Sequence, residues 1–421
     1  MANNTITTAK GFLAAGAACG IKASGRRDLG LIVCPTGATA AAVFTTNKIV
    51  SAAVEISEKH IKSRRIFAVV ANSGCANTCT GQRGVKNAIK MCSETARLLQ
   101  IENRKLKIEN RSVLVASTGI IGHQLPMEKI RAGIAKAAAK LSDSPKAGLD
   151  FAKAIMTTDT RTKQAIRRLT IDERRGLIEN RRLKIENCVV TITGVVKGAG
   201  MIAPNMATTL CFITTDAAIN KALLGRALKE AIGESLNKLT VDGHQSTNDT
   251  AIILASGLAG NRPIVRQDSR YRKFASVLVD LCQDLARQMA IDAEGATRMF
   301  KVVIKGAATK ADAAKAARAV ANYDLVKCAI HGGDPNWGRI ICAAGSCGVK
   351  LNPDKLSCFI GDIAVFKNGR PVEFDTQKAS KIIKQKEHTI TVDLGAGKYS
   401  DFCLGCDLSK DYVTINAEYH T

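Results

Sequence analysis

The chain has 421 residues, of which 46% are hydrophobic, and its formal net charge is +24. That length predicts a large core and two or three structural units. The longest apolar runs are too short and too often interrupted to supply the ~20 apolar residues of a membrane-spanning helix. A nucleic-acid-binding protein would gather its basic residues with aromatics between them, whereas here aromatics are 4% and the basic residues are spread along the chain.

The N-terminus and the cysteines bear on the cellular compartment. The first residues lack the charged segment, apolar segment and cleavage pattern of a signal peptide, so we expect a cytoplasmic protein without membrane or nucleic-acid partners. The fourteen cysteines are then expected to be free thiols. Cys403 and Cys406 form a CxxC motif with neither a second CxxC nor a His pair nearby, and we therefore predict no metal site.

Apolar runs typical of strands alternate with segments whose apolar residues recur at three- and four-residue spacing, as in helices. The predicted strands are 31–34, 68–72, 113–117, 189–196, 210–214, 250–255, 302–306 and 413–417. The predicted helices are 85–100, 127–141, 220–239, 271–289 and 311–326. This mixture predicts an α/β (α+β) fold in which helices cover sheets, with a smaller C-terminal unit from about residue 310.

One sequence occurs twice. IENRKLKIEN at 101–110 recurs as IENRRLKIEN at 178–187, each copy ahead of an apolar strand. Two copies are fewer than a stacked repeat architecture needs. We interpret both copies as inserted or duplicated surface sequence without a catalytic role.

The segment KGAGMIAPNMATTL at 197–210 joins two apolar β-type runs through a Gly-rich loop. Its small residue Ala207 is followed by Thr208 where the next strand begins, an arrangement that fits a self-cleaving turn. The Thr208 hydroxyl would attack the Ala207 carbonyl, and hydrolysis of the resulting ester would free an N-terminal threonine. Its α-amine, with an unperturbed pKa of about 7.7–8.0, would serve as the base for its own hydroxyl. An ordinary hairpin loop can have the same composition, and spacing alone favours that interpretation.

This loop resembles the self-processing site of the ornithine acetyltransferase family, the glutamate N-acetyltransferases of arginine biosynthesis. Other segments are similar to the family in the same order along nearly the whole chain, and chance matching of so many is not credible. They are GFLAAGAACGIK from Gly11, ANSGCANTCTG from Ala71, VLVASTGIIG from Val113, TTDT from Thr157, DGHQSTNDT from Asp242, DAEGAT from Asp292, GGDPNWGRI from Gly332 and CDLSKDYVTINAEYHT from Cys406.

The resemblance implies two stacked β-sheets between helical layers, similar to N-terminal-nucleophile hydrolases. It implies self-cleavage into an α chain, 1–207, and a β chain, 208–421, assembled as an α2β2 heterotetramer. Thr208 would take the acetyl group of N²-acetyl-L-ornithine and pass it to L-glutamate, with no metal and no organic cofactor. These residues leave open whether acetyl-CoA also serves as a donor.

The family's site positions fall on particular residues of this chain. Thr118 and Gly119 would form the oxyanion hole, which needs two donors aimed at the developing negative charge. Lys197 would pair with a substrate carboxylate, and Glu294 with a substrate ammonium. The other substrate-binding positions that the resemblance implies are Thr157, Thr158, Thr208, Asn416 and the C-terminal Thr421.

Three residues depart from the family pattern: Arg161, His244 and His420. Arg161 leaves open how the lip of the site is built, and His420 leaves open how the C-terminal tail is anchored. We interpret His244 as a loop residue. We interpret Asp159 as a structural hydrogen-bond partner. The alternative function is a threonine-nucleophile amidohydrolase or aminopeptidase, in which water would replace glutamate as the acceptor.

Overall fold

The computed structural model describes residues 5–102, 108–175, 184–203 and 209–418. The predicted cleavage residues Ala207 and Thr208 and the C-terminal Thr421 lie outside them, as do half of the first repeat copy and most of the second.

Strands and helices alternate through the described residues. The strands are β1 (Leu13–Ala17), β2 (Leu29–Phe44), β3 (Ile66–Cys75), β4 (Val113–Ile120), β5 (Lys163–Arg175), β6 (Lys184–Lys197), β7 (Leu210–Thr215), β8 (Thr250–Ala255), β9 (Met299–Ala307), β10 (Ser357–Ile360), β11 (Ile363–Lys367), β12 (Arg370–Pro371), β13 (Glu387–Asp393) and β14 (Tyr399–Cys406). The helices are α1 (Ala52–His60), α2 (Gly81–Glu102), α3 (Met127–Ala138), α4 (Pro145–Ile155), α5 (Lys221–Gly233), α6 (Ser269–Ile291), α7 (Lys310–Asn322), α8 (Asp324–Gly332), α9 (Trp337–Ser346), α10 (Thr376–Ile383) and α11 (Lys410–Glu418).

The larger sheet bends along its longest strand. Its order is β4-β3-β2-β8-β7-β6-β5, with β1 also paired to β2. The first half of β2 pairs with β3, the second half pairs with β8, and the register shifts between Val33 and Ala38. Inward-facing residues of both halves, such as Val69 and Ile252, belong to one buried cluster, where Phe151 of α4 meets Phe212 edge-to-face at 5.3 Å. The two halves therefore stack face to face.

Helices cover the outer faces of this stack. Side chains alternate between the two faces of a strand, so Ala68 and Val70 face α1–α3 while their neighbours face inward. On the other side, α5 and α6 cover β6–β8, and α6 buries Phe274, Leu278 and Leu285 on one stripe. Burial of each such side chain stabilises the fold by about 1.5–3 kcal/mol. The predicted α/β fold with stacked sheets between helical layers is confirmed.

A smaller C-terminal sheet has the order β12-β11-β10-β13-β9-β14. Its core cluster packs beneath α7 and α9 and includes Phe300 and Val392. The sheet includes β9, which precedes residue 310. At 5.2 Å, Trp337 stacks on Phe366 at this core, in keeping with a packing role.

The predicted strand at 413–417 is wrong, because these residues lie in α11. The Ser409 hydroxyl accepts a hydrogen bond from the Tyr412 backbone amide at 3.3 Å, which caps the first turn. Tyr412 and Ile415 are half-buried, three residues apart as on a helix, while Val413 is 62% exposed. The alternation of apolar and polar residues from Val413 to Ile415 is also typical of a strand, which explains the wrong prediction.

Two further observations concern the whole chain. Within the described residues, no helix combines the length and the apolar character needed to cross a membrane. All fourteen cysteines lie in the described part of the chain and are free thiols, and Cys403 and Cys406 are buried.

Candidate active site

Strand ends and loops of the larger sheet enclose a cavity of about 320 Å³. The end of β4, the loop after α4, the end of β6, the loop after α6 and helix α11 all contribute to its wall. The site residues proposed from the sequence that line it are Thr118, Gly119, Thr157, Thr158, Lys197, Glu294 and Asn416. Residues far apart in the sequence thus meet in one cavity, while the role of each stays a prediction.

Lys197 and Thr118 contact each other inside the cavity. Lys197 is 9% exposed, and its Nζ donates a hydrogen bond to Thr118 Oγ1 at 3.1 Å. Burial lowers the pKa of Lys197, and the nearby Asp159 carboxylate partly opposes this. Because the Thr118 oxygen is the acceptor, its own hydrogen remains available for a second partner, as an oxyanion donor requires.

Gly119 lies where β3 and β4 approach closely. Its φ of +126° is in the region that favours glycine. A Cβ at this position would lie 2.4 Å from the carbonyl carbon of Gly74. A larger residue would therefore displace the end of β4, and with it Thr118.

Thr209 is held by the backbone at the start of β7. Its hydroxyl donates to the Lys197 carbonyl oxygen, and its own carbonyl accepts from the Thr250 amide at 2.9 Å. This hydroxyl is thus engaged in a structural contact. Thr209 itself lies one residue before β7, and the role of Thr208, outside the described residues, stays a prediction.

A buried ionic triad, defined as Asp159, Lys163 and Asp292, lies behind the residues that line the cavity. Lys163 is fully buried, and its Nζ lies 2.5 Å from both Asp159 Oδ1 and Asp292 Oδ2. Asp159 also accepts from the Gly198 amide at 2.7 Å and from the Thr157 amide at 2.9 Å. The triad therefore ties together the segments that carry Thr157, Lys197 and Glu294.

The ionisation of Asp159 follows from these contacts. Burial opposes ionisation of Asp159, but Lys163 and then Lys197 outweigh it and lower the pKa of Asp159 to about 2. The sequence indicates Asp159 as a structural hydrogen-bond partner, but it gives Lys163 no role. The four-residue spacing of the two residues gave no sign that their side chains would be buried together.

Helix α11 closes another side of the cavity. Asn416 Nδ2 donates to Glu294 Oε2 and to the Tyr412 carbonyl, both at 2.9 Å. A Cβ at Gly200 would lie 2.1 Å from Glu294 Oε2, so only glycine allows the carboxylate to approach the loop this closely. The helix thus brings the C-terminal segment back over the site.

A second carboxylate fixes the loop before the predicted cleavage position. Asp242 accepts from the Met201 amide at 2.6 Å and from the Ile202 amide at 2.9 Å. The side chain of His244 is 68% exposed, with Nδ1 3.5 Å from Asp242 Oδ1. His244 does not line the cavity formed by the described residues, which agrees with its interpretation as a loop residue.

Asp249 lines the cavity as well, and our sequence analysis gave it no role. It is 2% exposed, and its Oδ2 has no hydrogen-bond partner within the described residues. Burial raises its pKa well above the ordinary value, against opposing effects of the Ser246 hydroxyl, Lys197 and the Thr209 backbone. Nothing in the quoted motif DGHQSTNDT distinguishes this aspartate from a turn residue.

Comparisons with known proteins give one family. Residues 13–421 match the model of the ArgJ family. The arginine biosynthesis bifunctional protein ArgJ of Symbiobacterium thermophilum is 44% identical over 418 residues, covering 99% of this chain and 98% of that protein. The solved structure of ArgJ from Bacillus halodurans has a TM-score of 0.48 and 41% identity, covering 49% of this chain and 98% of that chain. Ornithine acetyltransferase from Mycobacterium tuberculosis, complexed with ornithine, has a TM-score of 0.41 and 33% identity, with the same two coverages.

Proposed function

Since the chain belongs to the ArgJ family, we propose that it transfers the acetyl group of N²-acetyl-L-ornithine to L-glutamate, giving ornithine and N-acetylglutamate. The family assignment made from the motifs is confirmed by the match over residues 13–421. The assignment as an acetyltransferase of arginine biosynthesis is confirmed with it. The observation that carries the proposal is the meeting of Thr118, Lys197 and Glu294 in one cavity.

The charges of the cavity suit both substrates. N²-acetylornithine carries a carboxylate and a side-chain ammonium, with the acetyl amide beside the carboxylate. A cation at Lys197 and a carboxylate at Glu294 would bind these two ends through charge-assisted hydrogen bonds. Glutamate also carries an α-carboxylate, so Lys197 would serve the second half-reaction as well, while the α-amine of glutamate faces the acetyl-threonine.

Self-cleavage would prepare the nucleophile. The Thr208 oxygen adds to the Ala207 carbonyl carbon, the C–N bond between the two residues breaks, and an ester forms. Water hydrolyses this ester and gives an α chain, 1–207, and a β chain, 208–421. The new α-amine of Thr208 then acts as the base for its own hydroxyl.

Acetyl transfer proceeds in two halves. Thr208 Oγ attacks the acetyl carbonyl while its α-amine takes the hydroxyl proton and passes it to the departing ornithine nitrogen. The Thr118 hydroxyl and the Gly119 amide stabilise the oxyanion. Glutamate then attacks the acetyl-threonine with its amine, and N-acetylglutamate leaves as Thr208 regains its proton. Thr157, Thr158, Asn416 and Thr421 complete substrate binding in this proposal.

The proposal also covers the oligomeric state and the cellular compartment. The two chains assemble as an α2β2 heterotetramer, and the reaction takes place in the cytoplasm without a metal or an organic cofactor.

A two-substrate assay on purified protein, combined with intact mass under denaturing conditions, tests the proposal. Formation of N-acetylglutamate should require both acetylornithine and glutamate, and the mass spectrum should show two fragments. Release of acetate at the same rate without glutamate would instead indicate the amidohydrolase alternative. Replacing acetylornithine by acetyl-CoA in the same assay decides whether a second acetyl donor is used.

A further inference from the structure

Self-cleavage poses a proton-transfer problem that acetyl transfer does not. The α-amine that acts as the base in acetyl transfer is, before cleavage, the amide nitrogen of the bond that breaks. That nitrogen leaves only when it gains a proton, and the attacking hydroxyl must lose one. Another group must therefore move these protons in the uncut chain.

Three titratable side chains line the cavity within the described residues: Lys197, Glu294 and Asp249. Lys197 Nζ donates to Thr118, and Glu294 Oε2 accepts from Asn416. Asp249 Oδ2, although buried, has no hydrogen-bond partner among the described residues. A buried polar atom without a partner is costly, and a catalytic role is one of the explanations for it.

The strand register places Asp249 beside the start of β7. Leu210 is paired with Thr250 in the parallel β7–β8 ladder, and the Thr250 amide donates to the Thr209 carbonyl at 2.9 Å. Asp249 is therefore adjacent to Thr209, whose preceding peptide bond joins it to Thr208. The Asp249 carboxyl is thus beside the described residue that directly follows Thr208 in the chain.

The loop that carries Asp249 is hydrogen-bonded to β4, the strand that carries the proposed oxyanion hole. Asn248 Nδ2 donates to the carbonyls of Ala76 at 2.7 Å and Ser117 at 2.8 Å. The Thr78 hydroxyl donates to Asn248 Oδ1 at 2.8 Å. Because Ser117 precedes Thr118, this anchoring holds the Asp249 carboxyl in a set position relative to the proposed oxyanion hole.

We propose that Asp249 moves the protons of self-cleavage, a role that rests on the proposed function. Its carboxyl gives a proton to the Thr208 nitrogen as the Ala207–Thr208 C–N bond breaks. Its other oxygen takes the proton that the Thr208 hydroxyl loses on adding to the Ala207 carbonyl carbon, before that bond breaks, so Asp249 ends as it began. Burial, which raises the pKa of this carboxyl well above its ordinary value, favours the first of these transfers.

Rates of cleavage in full-length variants test this role. The uncut chain is made by cell-free synthesis, and its conversion to two fragments is followed by denaturing mass spectrometry. Asp249→Asn should slow conversion by about 10²–10⁴-fold, the usual contribution of acid–base catalysis. Asp249→Ala should be equally slow and should accelerate when formate, a small carboxylic acid, is added. Asp249→Glu, which keeps a carboxyl, should cleave faster than Asp249→Asn.

Asp242→Asn is the matched control, because Asp242 fixes the loop before the predicted cleavage position through the Met201 and Ile202 amides. Any slowing in this variant should not respond to formate. Conversion of Asp249→Asn within about threefold of wild type, or equal formate responses in Asp249→Ala and Asp242→Asn, would overturn the role of Asp249. If Asp249→Ala does not fold, equal rates for the Asn and Glu variants would overturn it. A wild-type chain that stays uncut would instead overturn the proposed function itself.

Discussion

At Thr118 the hydroxyl oxygen accepts from Lys197 Nζ, which leaves the hydroxyl hydrogen for a reacting carbonyl. We expect Thr118→Val, which keeps the side-chain shape, to lower kcat about 10²-fold or more when assayed on cleaved protein. The KM for acetylornithine should change much less, because the contact strengthens as charge develops in the transition state. Steady-state kinetics with both substrates measure this. An unchanged kcat with a raised KM would make Thr118 a ground-state contact.

Lys197 should matter to catalysis far more than the basic surface does. Replacing this buried cation by methionine should cost roughly 2–5 kcal/mol in kcat/KM, the range for removing one partner of a buried charge pair. As a control, the exposed residues Lys59, Lys62 and Arg64 can be neutralised together. Their field is screened beyond about 8 Å at physiological salt, so kcat/KM should stay near the wild-type value. The reverse outcome in the two kcat/KM measurements would show that the functional charge lies elsewhere.

At the scale of elements, the buried ionic triad decides how the loops at the cavity are placed. Lys163→Met should lower the free energy of unfolding by about 3–5 kcal/mol, because two buried carboxylates lose their cation. Denaturant titration measures this effect. Arg287→Met at the partly exposed pair with Glu387 is the control and should cost at most about 1 kcal/mol. Equal effects of the two substitutions would mean that the triad contributes no more than a surface ion pair.

Strands with continuous apolar runs could be predicted from the sequence, while polar or bent elements could not. β7 and β8 are buried throughout and read directly as strands. β5 was missed, because charged residues such as Arg167 and Arg168 interrupt its apolar positions. The bend along β2 could not be predicted, since it depends on which neighbour each half of the strand pairs with. Helix α11 was mistaken for a strand, because its apolar and polar residues alternate from Val413 to Ile415 and the Ser409 cap was not recognised.

The same distinction applies to the site. Thr118, Lys197 and Glu294 could be assigned because they stand in motifs that resemble the family. Lys163 and Asp249 could not, because their importance comes from burial and from contacts between segments distant in the sequence. A lysine or aspartate is usually exposed, and a single sequence gives no sign of the exceptions.

For the whole molecule, the two chains produced by cleavage should remain together. Hydrogen-bonded ladders join residues on either side of the cleavage position: β6 with β7, from Ile192–Thr215 to Lys197–Leu210, and β2 with β8. One buried cluster also contains residues of both chains, such as Val69 and Phe212. Size-exclusion chromatography in native buffer should therefore give one peak that contains both fragments, and denaturant should be needed to separate them.

Variants of the cleavage residue complete this prediction. Thr208→Ala removes the attacking hydroxyl and should leave one uncut chain under denaturing mass spectrometry. Because the sheet does not depend on the break, this chain should elute at the same native volume as the cleaved enzyme. Thr208→Ser keeps a hydroxyl and should still give some cleavage. If the wild-type fragments separate in native buffer, the ladders are not sufficient to hold the halves. If Thr208→Ala is cut as the wild type is, the bond breaks elsewhere or by another protein.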